Sequence, residues 1–207
     1  MKTLSLRLFL QVLLILLCFF PSAPVLADPR EFADITQQTI RDGIIDIEYP
    51  VVKGLDNSAA TEKINSLLSD HVARFRAGMA EDPYVKQAVS RYVIHQNADG
   101  ILSLTITQYH YSGGAHGMST MQGYTFDLAT GYLYQFTDLI PPWERDRINR
   151  TIKQQIAEKK TPLLQPFTEI KREPDYYLLP DRKIVIFYQL YELAPYAWGF
   201  VRFPIEY

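Results

Sequence analysis

The stretch ILSLTITQYHYSGGAHG, residues 101–117, joins an alternating strand pattern to a glycine-rich turn. Leu102, Leu104 and Ile106 share one face of the pattern, while serine, threonine and tyrosine side chains occupy the other. A period of two with one apolar face predicts a half-buried β-strand over residues 101–111. The glycines that follow permit positive φ angles and close backbone approach, so we expect the chain to reverse direction here.

Five glycines stand where we expect turns. Three belong to the GGAHG reversal, and one lies in the C-terminal loop LAPYAWGF. The fifth ends the turn of a hairpin predicted over QGYTFDLATGYLYQF, residues 122–136, in which every second residue at the start is apolar or aromatic. We therefore assign structural turn roles to Gly113, Gly114, Gly117, Gly131 and Gly199.

Upstream of this stretch, the sequence predicts a strand and a helix. The run IIDIEYP places Ile45, Ile47 and Tyr49 on one face, and we expect this strand to stop at Pro50. Apolar residues at steps of three and four then predict an amphipathic helix, capped by Asn57 or Ser58, whose buried face carries Ile64, Leu68, Val72, Phe75 and Met79.

Downstream, a second amphipathic helix is predicted from Ile148, Ile152 and Ile156, which are four residues apart. Two strands around a Pro180–Asp181 turn and a short last strand, VRFPIEY, complete the chain. This order of elements predicts an α+β fold, mainly antiparallel sheet with two principal amphipathic helices.

The N-terminus has the parts of a secretory signal. Lys2 and Arg7 precede an apolar run, residues 8–20, which is shorter than the roughly 20 residues that span a bilayer. Small side chains at Val25 and Ala27 suit a signal peptidase, so we predict that residues 1–27 are removed. The protein is then exported to the periplasm, the cell envelope or the medium. It contacts a membrane only if the segment is retained as an anchor.

Composition limits the possible partners. The formal charge of −2 becomes −4 when the signal is removed with Lys2 and Arg7, and the remaining basic residues are scattered, so no nucleic-acid interface is predicted. Cys18, the single cysteine, also leaves with the signal, and the mature chain therefore forms no internal disulfide. Lipidation of Cys18 is disfavoured by the large Leu17 before it.

The histidines of the opening stretch are the natural candidates for chemistry. Catalytic zinc needs three protein ligands, and His110 and His116 lie on opposite sides of a glycine turn without an HExxH spacing. Ser112 is followed by Gly114, but His110 stands where a nucleophile elbow needs its first glycine. TFDL resembles the TFDDG start of polysaccharide deacetylases, but Leu128 replaces the second aspartate. We predict no metal, no cofactor and no catalytic residue.

Aromatic and imidazole side chains are the remaining candidates for a binding surface. They cluster in the two glycine-bearing loops, and rings with polar tips suit contacts to proteins or glycans. The alternative is that they anchor turns or the core. The residues predicted to contact a ligand or partner are Tyr109, Tyr111, His116, Tyr196 and Trp198. We also expect the GGAHG and APYAWG loops to pack together.

Three ordered motifs carry a family resemblance: GGAHG at residues 113–117, FDLATG at 126–131, and FYQLYELAPYAWG at 187–199. With the upstream EYPVVKGL and KINSLL, they resemble an uncharacterised bacterial extracellular domain family. That family is shared by the ectodomain of the lysozyme-sensing anti-sigma factor RsiV and the N-terminal region of the peptidoglycan deacetylase PdaC.

The resemblance implies a division of the chain. Residues 1–27 are the signal, 28–98 resemble the companion strand-helix-strand domain, and 99–207 carry the GGAHG and APYAWG motifs, packed with the first part as one unit. Only seven residues precede the apolar run, and the chain stops after its last strand. We therefore expect neither a sigma-factor-binding segment nor a deacetylase domain.

The resemblance favours recognition over catalysis. The leading prediction is a secreted, non-catalytic cell-envelope module that binds lysozyme or a similar muramidase. The first alternative is a module that binds peptidoglycan or another glycan. The second is a hydrolase with an unrecognised site near His110 and His116.

Overall fold

The computed structural model describes residues 32–207, which form two sheets and two long helices. The strands are β1 (Asp34–Asp42), β2 (Ile45–Lys53), β3 (Gln87–Ala98), β4 (Ile101–Tyr111), β5 (Met118–Asp127), β6 (Tyr176–Leu179), β7 (Lys183–Tyr188) and β8 (Val201–Glu206). The helices are α1 (Ser58–Glu81), the single turn α2 (Phe136–Leu139) and α3 (Arg145–Lys159), with 3-10 turns at Pro142–Glu144 and Tyr196–Trp198.

The strands form a five-stranded sheet of order β1-β2-β3-β4-β5 and a three-stranded sheet of order β6-β7-β8. All neighbours are antiparallel except β2 and β3, which pair in parallel over three residues, Ile45–Ile47. The prediction of an α+β fold with mainly antiparallel sheet and two principal helices is confirmed. β3 and β4 pair across the predicted boundary at residue 98, and the division into parts stays a prediction.

Helix α1 covers one face of the five-stranded sheet. The Asn57 side chain accepts hydrogen bonds from the N–H groups of Ala59 and Ala60, which is the predicted cap. The apolar stripe of the helix, with Ile64 and Leu68 fully buried, packs against the apolar face of β4. The spacing of the apolar residues therefore predicted both the helix and its buried face.

The prediction that β4 is half-buried is wrong, because the second sheet covers its other face. Ser103 and Thr105 are buried, as are the apolar residues that alternate with them. The Ser103 hydroxyl accepts the Leu178 N–H of β6 at 2.8 Å and contacts the Thr125 hydroxyl at 2.9 Å. These bonds satisfy the polar groups, so a strand with a polar face lies between two layers.

Helix α3 packs on the outer face of the second sheet and completes four layers, in the order α1, first sheet, second sheet, α3. Ile148 and Ile152 of the helix are buried against Ile184 and Ile186 of β7 and against Phe203 of β8. The second predicted helix is confirmed by this packing.

The expectation that Pro50 ends a strand is wrong, since β2 continues through it to Lys53. Alternate residues of a strand direct their backbone groups to the same side. Val52 points its N–H and C=O away from β1, towards Asn65, and Pro50 shares that direction. The pairing with β3 has already ended at Ile47, so the missing proline N–H leaves no ladder bond unmade.

The hairpin predicted over residues 122–136 forms only in part. Its first arm is β5, and its turn closes with a hydrogen bond from the Gly131 N–H to the Asp127 carbonyl. The second arm is reduced to a single bridge between Phe126 and Leu133, because the chain enters α2 at Phe136. β5 pairs along its length with β4 instead.

No helix within residues 32–207 is long and apolar enough to cross a membrane. The predicted signal segment, residues 1–27, lies outside the described residues.

Candidate functional site

The loops that carry GGAHG and APYAWG lie in contact, as predicted. The GGAHG turn connects β4 to β5, and the second loop connects β7 to β8. Between them, the Tyr196 hydroxyl donates to the Gly117 carbonyl at 3.0 Å. Residues that are 79 positions apart in the sequence therefore form one surface.

The rings of His116 and Tyr196 stack across this junction. Their centroids are 3.9 Å apart, and their planes differ by 18°. His116 Nδ1 lies 3.0 Å from the Gly117 carbonyl, which only accepts, so Nδ1 carries the proton. Nε2 then accepts from the Tyr191 hydroxyl at 3.4 Å. Both ring nitrogens are occupied by hydrogen bonds that hold the imidazole in place.

Tyr191 is part of the surface although its backbone conformation is unfavourable. Its φ is +63°, a value that bulky side chains rarely adopt. The conformation brings its ring to 5.7 Å from the Tyr196 ring while 48% of the residue stays exposed. Strained residues of this kind are concentrated at functional sites. We refer to Tyr109, His116, Tyr191 and Tyr196 as the aromatic cluster.

Gly117 is required by close packing within the aromatic cluster. A Cβ atom at this position would lie 2.4 Å from the Tyr109 ring and 2.4 Å from the His110 carbonyl oxygen. The preceding turn contains Gly113 and Gly114 at φ +110° and +91°, and the Tyr111 hydroxyl donates to the Gly114 carbonyl at 2.9 Å. Glycine thus serves two purposes here, the reversal and the contact with tyrosine.

Of the five predicted contact residues, the structure joins Tyr109, His116 and Tyr196 through Gly117. Tyr111 instead holds the turn. Trp198 follows Tyr196 in the same 3-10 turn and is 43% exposed, directly before Gly199 at φ +64°. Of the turn glycines, Gly131 sits at φ +68° against the backbone of Ala60.

The partners of His116 show what the aromatic cluster can do chemically. A catalytic Ser-His-Asp arrangement places a carboxylate on one imidazole nitrogen and a hydroxyl nucleophile on the other. Here the two partners are a backbone carbonyl and a tyrosine hydroxyl. Within residues 32–207 there is no group of three or more side chains placed to hold a metal ion. The surface offers aromatic faces and hydroxyl groups for contact.

Asp127, the aspartate of the TFDL string, is occupied by its own turn. Its carboxylate accepts from the N–H and hydroxyl of Thr130, both at 2.8 Å, and from the Tyr134 hydroxyl at 3.1 Å. Burial acts to raise the pKa of Asp127, but these hydrogen bonds outweigh it and lower the pKa. The carboxylate stabilises the turn, as its position at the start of the predicted hairpin suggests.

The sequence predictions missed two residues that build this region. Tyr191 lies within the FYQLYELAPYAWG motif, so its position was signalled, but its positive φ was not. Gln189, two residues earlier, uses its side-chain amide to bond both the N–H and the C=O of Met121 on the outer edge of β5. Sequence periodicity carries no signal for such a contact.

Two known families match different parts of the chain. Residues 36–119 match the family described as deacetylase PdaC, and residues 137–207 match the family described as protein of unknown function (DUF3298). The GGAHG turn falls in the first part and the APYAWG loop in the second, so the aromatic cluster is built from both. No curated protein matches the chain.

Two crystal structures share the fold. A DUF3298 family protein from Pseudomonas aeruginosa PAO1 has 16% identity and a TM-score of 0.58, over 86% of this chain and 91% of that chain. A DUF3298 family member from Bacteroides fragilis NCTC 9343 has 14% identity and a TM-score of 0.55, over 87% of this chain and 91% of that chain. The chain therefore joins a part that matches the PdaC deacetylase family to a part that matches the DUF3298 family, in the fold of these two structures.

Proposed function

We propose that this protein is an exported, non-catalytic recognition module of the cell envelope that binds lysozyme or a similar muramidase. The observation that carries the proposal is the junction of the two glycine-bearing loops, which presents Tyr191 and Trp198 to solvent beside a fixed His116–Tyr196 stack. The resemblance to the extracellular family of a lysozyme-sensing protein suggests the class of partner.

The physical basis is the cost of ordering side chains on binding. Tyrosine and tryptophan supply large contact areas with few rotatable bonds, and they are enriched among residues that dominate interface energies. In the aromatic cluster, much of that ordering is already complete in the free protein. Hydrogen bonds fix Tyr196 and His116, and Gly117 brings the Tyr109 ring into contact. A rigid surface of this kind favours tight binding.

Replacing each tryptophan in turn tests whether this surface contacts lysozyme. We expect Trp198→Ala to weaken lysozyme binding by about 30-fold, which corresponds to the roughly 2 kcal/mol of an interface hot spot. Trp143→Ala is the matched control, since Trp143 is 77% exposed in the 3-10 turn before α3. Isothermal titration calorimetry of both variants and the unsubstituted protein measures the effect.

Each outcome of this experiment is informative. Equal binding by the two variants would place the contact surface away from Trp198 and its loop. If the unsubstituted protein fails to bind lysozyme, the proposed partner is wrong. In that case, cosedimentation with purified cell-wall sacculi, reduced by Trp198→Ala and not by Trp143→Ala, would favour glycan recognition by the same surface.

A further inference from the structure

The outer edge of β5 contains a gap at Gly123. Met121, Gly123 and Thr125 direct their backbone groups away from β4, because alternate residues of a strand share a direction. The Gln189 amide bonds the N–H and C=O of Met121, at 3.1 and 2.8 Å. On the other side, the Tyr134 N–H donates to the Thr125 carbonyl at 2.8 Å. Gly123 lies between the bonded groups of Met121 and the bonded Thr125 carbonyl.

The backbone of Gly123 remains available. Within residues 32–207 no acceptor bonds its N–H, and its carbonyl has one long contact, 3.3 Å, with the amide of the exposed Gln122. A carbonyl oxygen has two lone pairs and can accept a second donor. Glycine is required at this position because a Cβ atom would lie 1.9 Å from the Tyr176 carbonyl oxygen.

Gly123 lines a cavity of about 160 Å³ between β5, the start of α2 and residues 173–176. This volume is below the roughly 300 Å³ of the smallest drug-sized sites, so the cavity suits one functional group. The residues that line it include the acidic Glu173 and Asp175 and the neutral Gln135. An anion is disfavoured beside the two carboxylates. A cation cannot accept a hydrogen bond from the Gly123 N–H.

The protein itself shows which neutral group fits an outward-facing strand residue. Gln189 bonds both backbone groups of Met121, and Asn65 does the same for Val52. Asn97 does so for Ala33, the residue just before β1. In each case one primary carboxamide supplies an acceptor and a donor on the same side. A secondary amide in the trans form points its C=O and N–H in opposite directions and supplies only one of the two.

We propose that the cavity at Gly123 is a binding site for a primary carboxamide, such as the side chain of glutamine or asparagine in a peptide or protein ligand. The amide oxygen accepts from the Gly123 N–H, and the amide nitrogen donates to the Gly123 carbonyl. A longer strand is disfavoured, because the Met121 N–H and C=O and the Thr125 carbonyl are already bonded. The site is separate from the aromatic cluster, and the proposal does not rest on lysozyme recognition.

The test follows the Gly123 amide by two-dimensional NMR of the ¹⁵N-labelled protein during titration with small amides. Propionamide is expected to shift the Gly123 amide resonance until the shift reaches a plateau. N-methylpropionamide is expected to need about tenfold higher concentration for the same shift, since one hydrogen bond is lost. Gly43, in the exposed turn between β1 and β2, is the control glycine. No shift at Gly123, or equal shifts from the two amides, would overturn the proposal.

Gln189→Ala provides an independent check of the chemistry. This variant uncovers the N–H and C=O of Met121, so propionamide should then also shift the Met121 amide. A response at Met121 without one at Gly123 would overturn the assignment of the cavity. Responses at both positions, each weaker with the N-methyl compound, would support it.

Discussion

At the scale of single residues, His95 is the most strongly perturbed histidine. It lies between the two sheets, with its ring stacked on Tyr177 at 3.8 Å and its Nε2 atom 2.9 Å from the Thr105 hydroxyl. Burial, together with the nearby positive charge of Arg202, lowers the pKa of His95 to about 4. A charged imidazole is therefore unfavourable at the junction of the sheets.

This lowered pKa predicts how stability changes with pH. A histidine in the unfolded chain titrates near 6.5, so between about pH 6.5 and 4 the unfolded state binds a proton that the folded state does not. The free energy of unfolding should fall as pH decreases through this window. Urea unfolding at pH 7 and pH 5 measures the decrease.

The variant His95→Gln isolates the contribution of this histidine, because glutamine can also bond Thr105 but does not titrate. We expect it to lose less stability than the unsubstituted protein between pH 7 and pH 5. His71, whose pKa burial also lowers, would supply part of the remaining slope. Equal losses in the two proteins would show that His95 does not contribute.

At the scale of secondary-structure elements, side chains close the open edges of the strands. On β8, the carbonyls of Arg202, Pro204 and Glu206 accept from side chains of helix α3, namely Lys159, Gln155 and Arg147. Pro204 also removes one N–H from that edge. An edge closed in this way cannot pair with another strand, which limits aggregation.

The contact between Asn65 and β2 gives a prediction at this scale. Both hydrogen bonds between the Asn65 amide and the Val52 backbone are 2.8 Å long. Because Asn65→Ala leaves two buried backbone groups unpaired, it should lower the free energy of unfolding by about 1–3 kcal/mol.

The matched control on the same helix is Ser66→Ala. Ser66 is exposed, so its replacement should change the free energy of unfolding by less than about 0.5 kcal/mol. Chemical denaturation of both variants measures the difference. Similar values for Asn65→Ala and Ser66→Ala would mean that water replaces the amide at no cost.

At the scale of the whole molecule, a buried polar junction joins the two sheets. Ser103 of β4 bonds both Thr125 of β5 and the backbone N–H of Leu178 on β6. Ser103→Ala would leave that N–H without a partner, and we expect a loss of about 1–3 kcal/mol. Ser112→Ala, in the exposed turn after β4, is the control and should be nearly neutral.

The same variant tests whether the sheets unfold together. Tryptophan fluorescence reports Trp143 and Trp198, which both lie in the C-terminal part, whereas far-ultraviolet circular dichroism reports all elements. If the junction couples the sheets, Ser103→Ala should shift both transitions equally towards lower denaturant. Two separated transitions would show that the layers are independent.

The local patterns of the sequence were sufficient for most elements. The alternation in residues 101–111 predicted β4 with the bounds that the structure has, and the spacing from Ile64 to Met79 predicted the buried face of α1. Both signals arise because burial imposes the period of the element on the sequence. The glycine turn and the contact between the two motif loops were also predicted.

Other features depended on neighbours that the local sequence does not reveal. Pro50 continues a strand because β3 has already diverged, and Ser103 is buried because a second sheet covers a polar face. The positive φ of Tyr191 and the carboxamide of Gln189 on Met121 are long-range effects of the same kind.

By itself, then, the sequence determined most of the elements, the two packed loops and the family resemblance, because periodicity, turn glycines and ordered motifs are local in the chain. The tertiary structure alone decided which polar faces are buried, which strand edges are closed and where Gly123 is left open. Those outcomes depend on hydrogen bonds between residues far apart in sequence, and a polar residue satisfied by a distant partner has the same local pattern as one exposed to water.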